Sequence, residues 1–360
     1  MQVGIIGLPF SGKTTIFSTL LKHKVSNAYK SRKKTEKGVV KVPDERLDKL
    51  SELYQPGKKT NATVEYIKVP GFDQKDEKPK ALPGEFISNL KTVDTILMVV
   101  RAFENELAPH PMQRINPQAD IEFMNSEMLL SDLTIIEKRM ERIEKELRIN
   151  KDEKKKLEME VLEKCYDFLI QEKPLREMQI ATHEEKILRN FQFLTLKPIL
   201  YVINIDEAEI TRSNAIIAEF EDYQTDSTAV TALCAEIEKE ISDLDNDDQN
   251  LFIDELGIEE PALHNLIRNS YELLGLISYF TVGEDECRAW TIRNGSTAKQ
   301  AGGAIHSDIE RGFIRAKVTA YHDLLSQGGL RKCKERGLLR QESKEYSVQD
   351  GDVMEFQFNV

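Results

Sequence analysis

Val3-Gly4-Ile5-Ile6-Gly7-Leu8-Pro9-Phe10-Ser11-Gly12-Lys13-Thr14 decides how the rest of the chain is read. Val3 to Leu8 is a short β-branched run that ends in a Gly-Pro turn, and Thr14 to Leu21 carries helical spacing. Between them, Gly7 to Thr14 fits the pattern GxxxxGK[ST]. Glycines let the backbone curl so that successive N–H groups point at phosphate oxygens. The helix N-terminus adds its partial positive charge. In such a loop Lys13 reaches the β/γ-phosphates and the Thr14 hydroxyl ligates Mg²⁺. Pro9, Phe10, Ser11, Gly12 and Thr15 complete the expected cradle. A strand, a phosphate loop and a helix in that order predict a P-loop nucleotide-binding domain.

Working outward, Thr63–Val69, Thr95–Val100, Pro198–Ile203 and Thr228–Leu233 read as further strands. Runs that are apolar on both faces suit a buried parallel sheet with helical crossovers. The expected fold is therefore α/β, a doubly wound, mostly parallel sheet built from residues 1–117 and 196–278. Residues 118–195 break the rhythm. Leu129, Leu133, Ile136, Met140, Ile143 and Leu147 recur at heptad spacing, and Leu157, Val161, Cys165 and Phe168 resume after the polar stretch Asn150–Lys156. That pattern predicts an inserted helical hairpin with a coiled-coil seam, and a stripe that merely packs its own core accounts for it without a partner. Residues 279–360 read as a small α+β module. It has strands at Trp290–Ile292 and Arg315–Tyr321, a helix over Thr297–Gly312, and a closing hairpin of Tyr346–Val348 with Val353–Phe358 about the turn Asp350-Gly351-Asp352.

Composition narrows the function classes. The 360 residues are 40% hydrophobic and 31% charged, which excludes a disordered tail. No apolar run approaches the roughly 18 residues of a membrane span. Gln2 to Gly7 has no charged leader, so no signal peptide is expected. The four cysteines lie far apart without CxxC spacing, which suits a reducing compartment, and the expected location is the cytoplasm. The net charge of −12 argues against DNA, but it is unevenly spread. Residues 201–260 hold 18 Asp+Glu against 2 Lys+Arg, whereas residues 21–41 hold 8 Lys+Arg and one Glu. That basic run reads either as a solvated loop or as an RNA phosphate contact. His and acidic residues are scattered, without metal-site spacing.

The base is read by a second motif. In P-loop GTPases an Asn-Lys-x-Asp follows a later strand, and its Asp accepts two hydrogen bonds from guanine. Here the strand over Pro198–Ile203 runs into Asn204-Ile205-Asp206-Glu207. Glu207 is one methylene longer than Asp, so its carboxylate is displaced from the guanine-reading position. Relaxed specificity or an adenine preference follows.

With these residues on the page the chain resembles the YchF/Obg-like ATPase family. The matching stretches are Gly38 to Asp44 with Arg46-Leu47-Asp48, the Asn204–Glu207 motif, Ala289 to Ile292, Ile305 to Asp308, Glu310 to Ala316 and Gln349 to Val353. The resemblance implies a G domain, a helical insertion and a C-terminal TGS module of ubiquitin-like β-grasp fold. It also implies NTP hydrolysis favouring ATP over GTP, and association with ribosomes. Carried over, Asn204 and Glu207 face the base, and Cys234-Ala235 forms the following base-side loop.

Three departures from that family stand out. Phe10 stands where an Asn helps hold an activating potassium ion, and it offers no oxygen. Lys68-Val69-Pro70-Gly71 aligns with Asp-x-x-Gly, so a lysine replaces the aspartate of the Mg²⁺ site and leaves Thr14 and, in a closed first switch, Thr63 as expected magnesium ligands. The stretch Phe72–Ala81 lacks the Gly-rich switch, and hydrophobic Phe72 stands where Ras-like proteins orient the attacking water. Slow hydrolysis without a partner is expected. The other reading is a nucleotide-sensing module in which Lys68 has abolished turnover. His306, Arg311 and Arg315 are ribosome-contact candidates by resemblance.

Overall fold

The computed structural model describes residues 1–22, 35–70, 83–150 and 152–359. Most of the basic run at 22–41 and all of Phe72–Ala81 therefore lie outside the described residues. The described strands are β1 (Gln2–Ile6), β2 (Glu36–Lys41), β3 (Lys58–Thr60), β4 (Thr63–Lys68), β5 (Thr95–Ala102), β6 (Ile199–Ile205), β7 (Thr228–Leu233), β8 (Leu276–Thr281), β9 (Glu286–Arg293), β10 (Phe313–Ala320), β11 (Arg340–Glu342) and β12 (Asp352–Phe358). They form two sheets.

The first sheet runs β2-β4-β1-β5-β6-β7. β1 pairs in parallel with both β4 and β5, and β6 in parallel with both β5 and β7. All seven residues of β6 are buried, as are the first seven of β5. This is why those runs carry no polar alternation. The chain order steps away from β1 in both directions, so the loop after β1 opens at the point where strand order reverses.

The inserted hairpin is present. Its first helix, Pro117–Ile149, is started by Asn116, whose side chain accepts from the Ala119 N–H, with Pro117 at the first helical position. The second, Glu153–Leu169, is capped by Asp152. Ile136 and Ile143 of the expected seam are fully buried against Val161, Leu162, Cys165 and Leu169. Arg139 reaches Glu158 with two bonds of 2.7 and 2.8 Å. The stripe is thus spent on the insertion's own core.

A buried carboxylate ties this insertion to the sheet. Asp132, fully buried, accepts from Leu194 N at 3.0 Å, Thr195 N at 2.8 Å and Thr195 Oγ1 at 2.7 Å, just before β6 begins. Burial pushes its carboxyl up, against those three donors. Asp132→Ala leaves two buried N–H groups and a hydroxyl without an acceptor, at about 1–3 kcal/mol per unmatched group. The expected loss is about 3 kcal/mol or more, read as a drop in the urea midpoint. A midpoint equal to that of the parent protein would refute the anchor.

The second sheet runs β11-β10-β12-β8-β9-β3. Its first and last C-terminal strands, β8 and β12, are central neighbours and parallel, and β9 and β10 flank them antiparallel. The helix Ala298–Ile305 lies in the core beneath them with Tyr279, Ile292 and Val318. This is the β-grasp arrangement that the family resemblance implies. Two details differ from expectation. The helix expected over Thr297–Gly312 breaks at His306, whose extended backbone and Nδ1 cap a second short helix, Ser307–Arg311. Tyr346–Val348 forms no strand; Ser347 makes only an isolated bridge to Thr297. The Asp350-Gly351 turn docks on β8 instead, through Ser278 N to Asp350 Oδ1 (2.9 Å) and Gly351 N to Ser278 O (2.8 Å).

Contacts divide the chain into one unit of residues 1–38 and 65–266 and another of 39–64 and 267–360. The expected boundaries shift accordingly. Residues 39–64, assigned from sequence to the nucleotide domain, pack with the C-terminal module. β3 pairs in parallel with β9 and becomes that sheet's edge. Arg46 bridges Asp44 at 2.8 Å and Asp350 at 2.6 Å, and Leu47 and Leu50 are fully buried. Two of the family stretches, some 300 residues apart in sequence, are thereby locked together.

Candidate nucleotide site

The loop after β1 takes its shape from two glycines. Gly7 (φ 145°) and Gly12 (φ 97°) occupy the left-handed region that side chains avoid. A Cβ on Gly12 would strike the Asn204 amide, and one on Gly7 the Val99 carbonyl. Phe10 also has a positive φ of 61°, unusual for a bulky residue. The helix Lys13–Leu20 starts directly after Gly12 with no side-chain cap, so its first N–H groups are left for a ligand.

Lys13 is buried and its Nζ donates to Gly7 O at 2.8 Å and Leu8 O at 2.6 Å. Burial, and next the neighbouring Lys68 ammonium, lower its pKa to about 7. An anion beside it favours the charged form.

Asn204 leaves the end of β6 and reaches back to this loop. Its Nδ2 donates to Ser11 O at 3.0 Å, and its Oδ1 accepts from Ala235 N at 3.0 Å. The amide therefore staples the phosphate loop to the start of the helix Ala235–Asp243 and, with both bonds on backbone, is committed to positioning. Asp206, two residues on, caps the next turn by accepting from Ala208 N at 3.1 Å. Glu207 is exposed at the rim. Cys234 is buried, and burial pushes its thiol up, away from reactivity.

These elements surround a cleft of about 600 Å³. All eleven residues expected to contact nucleotide, residues 9–15 with Asn204, Glu207, Cys234 and Ala235, line it. Its charge is divided: Lys13 and Lys68 stand on the phosphate-loop side, while Asp206, Glu207, Glu236 and Glu240 gather on the other.

Sequence reasoning missed one wall, formed by Phe103, Glu104, Asn105 and Ala108. The loop carrying it is held by Arg101, which is 2% exposed and donates to Phe103 O at 2.9 Å and Ala108 O at 2.6 Å. A signal was present: the loop follows the C-terminal end of β5, and in open α/β sheets ligands bind beyond the carboxyl ends of the strands.

The expected magnesium set does not assemble. Thr14 lines the cleft, but Thr63 does not. Thr63 opens β4 while Lys68 closes it. Five residues at about 3.3 Å each place them roughly 16 Å apart, with Thr63 toward the end of the sheet remote from the loop after β1. Lys68, expected from the sequence to replace the aspartate of the Mg²⁺ site, is 5% exposed and its Nζ lies 3.0 Å from Glu36 Oε1. Unit charges 4 Å apart interact by about 4 kcal/mol at a surface-like dielectric, so a divalent ion beside that ammonium is strongly opposed. Among the described residues no three His, Cys, Asp or Glu side chains are grouped as metal ligands. Among the described residues, the side chains present therefore do not fit the usual P-loop magnesium site.

Residues 2–205 match the family model described as "50S ribosome-binding GTPase". Residues 276–359 match YchF-GTPase_C, described as "Protein of unknown function (DUF933)". A Bacillus subtilis protein named ribosome-binding ATPase YchF is 41% identical over 365 residues, covering 100% of both chains. The chain belongs to the YchF family. An Escherichia coli YchF, also named a ribosome-binding ATPase, is 39% identical over 100% of this chain and 99% of its own. The structure of the Schizosaccharomyces pombe YchF GTPase superposes with a TM-score of 0.87 at 29% identity, covering 99% of this chain and 97% of that one. A Pyrococcus horikoshii GTP-binding protein shares the fold, with a TM-score of 0.61 at 16% identity and 100% coverage of both chains. YchF relatives thus carry both ATPase and GTPase names. No described helix is long and apolar enough to cross a membrane.

Proposed function

We propose that this chain is a nucleotide-dependent switch that hydrolyses ATP slowly, with GTP as the poorer substrate, and acts on the ribosome in the cytoplasm. The observation that carries this reading is the convergence of the phosphate loop, Asn204, Glu207 and Cys234-Ala235 on one cleft. The full-length relatives named ribosome-binding ATPases support it.

Lys13 neutralises charge on the β/γ-phosphates, and the uncapped helix start directs its N–H groups at them. Thr14 is the one expected magnesium ligand that lines the cleft. Asn204 sets the spacing between the phosphate loop and the base-side loop, and Glu207 accepts from the base. Glu207's displaced carboxylate disfavours guanine's paired donors. Ribosomal RNA or protein, rather than DNA or membrane, is the macromolecular partner. The non-hydrolysing sensor is the less favoured reading, because the relatives are named as ATPases.

Calorimetric titration tests the base: ATP is expected to bind about tenfold more tightly than GTP or better, and tighter GTP binding would overturn the role given to Glu207. Phosphate release, with and without ribosomes, tests the switch. Turnover is expected to be slow alone and raised by ribosomes; none under either condition would leave only the sensor.

A further inference from the structure

Two buried lysines border the phosphate-loop side of the cleft, and the phosphate loop itself accounts for only one of them. Lys68 ends β4, paired in register with Ile5 of β1, so the sheet delivers its side chain to the place where β1 releases the phosphate loop. Its ammonium lies 5.6 Å from the ring centroid of Phe17, on the helix that follows that loop. Glu36 of β2 holds it at 3.0 Å, and the Glu36 side chain is 37% exposed. The pair is thus asymmetric: a buried cation beside a partly exposed carboxylate. The carboxylate that in other P-loop proteins holds Mg²⁺ is replaced by a group of opposite sign.

We propose that Lys68 is a built-in counter-cation, so that the cleft takes its nucleoside triphosphate as the metal-free polyanion, with Lys68 exchanging Glu36 for a phosphate oxygen. This rests on the nucleotide reading of the cleft. The exchange replaces one oxyanion beside the buried ammonium by another, so its charge stays compensated on binding. It also makes Glu36 a competitor of the phosphate. Charge-assisted bonds of this kind are the stronger ones in a site of low dielectric.

The test is calorimetric titration of the full chain with ATP in excess EDTA and with ATP in excess Mg²⁺. The parent protein is expected to show dissociation constants within about threefold of each other. Lys68→Met keeps the apolar stem and is expected to weaken metal-free ATP by about tenfold or more, with its melting temperature showing that it folds. Lys68→Arg should restore binding in EDTA. Glu36→Gln, which removes the competitor, should tighten it. Lys68→Asp should bring back magnesium dependence. A parent protein that loses tenfold or more in EDTA, or a folded Lys68→Met that binds metal-free ATP as well as the parent, overturns the proposal. Those outcomes leave nucleotide binding intact, whereas no ATP binding with or without magnesium overturns the nucleotide reading and this proposal with it.

Discussion

Lys13→Ala is expected to lower single-turnover phosphate release by about 10²–10³-fold, the usual cost of removing one preorganised donor from a developing charge. The buried ammonium is held by two bonds to the loop carbonyls of Gly7 and Leu8. Alanine removes the charge and leaves both oxygens facing the cleft, so the loop turns repulsive to phosphate where it had been attractive. The β1 core, with Val3, Ile5 and Ile6 fully buried, is untouched, so circular dichroism and melting temperature should stay close to the parent. ATP affinity should fall in parallel with turnover. Release equal to that of the parent would remove Lys13 from the chemistry.

Asn204→Asp is the second large effect. The substitution is nearly isosteric, yet it exchanges a donor for an acceptor at a residue 3% exposed. A carboxylate oxygen would then face Ser11 O, where Nδ2 now donates at 3.0 Å. The bond from Ala235 N can survive, which makes the change specific to the phosphate-loop side. An uncompensated buried charge costs about 3–5 kcal/mol, and an outward move of the residue would free Gly12 from its neighbour. The urea midpoint should fall accordingly, and ATP should bind about tenfold more weakly or worse because the two halves of the cleft lose their spacer. Parent-like affinity in a folded Asn204→Asp protein would show that the staple is dispensable.

Much of the nucleotide unit was legible because its signals are local. The run from Val3 to Thr14 fixes strand, loop and helix in twelve residues. β7 coincides with the expected Thr228–Leu233, since strands buried on both faces read as plain apolar runs. Lys68 was visible against a motif that demands the opposite charge. What failed to show was long-range or polar. β3 is Lys58-Lys59-Thr60, three polar residues whose only strand signal is an edge they pair with more than 200 residues away. The wall at 103–108 carries no motif, since its shape comes from Arg101 bonding to backbone carbonyls. Tyr346–Val348 looked like one arm of a hairpin because turn chemistry alone does not say which strand the turn will meet, and Asp350 meets Arg46 and Ser278. Thr63 is expected only as a ligand in a closed first switch, and its place at the start of β4 sets it at the far end of that strand from Lys68.

Because residues 39–64 pack with the C-terminal module, one cut cannot separate the two units. A cut between residues 266 and 267 follows the fold at one crossing only. It would leave the upstream fragment carrying Leu47 and Leu50 without the partners that bury them, and the downstream fragment without its edge strand and without the cation that holds Asp350. Gene fusion or truncation at that junction therefore cannot yield two self-sufficient pieces. The edge strand β3 is translated more than 200 residues ahead of β9, and β12, a central strand, comes last, so the sheet cannot close until residues 352–358 have been made.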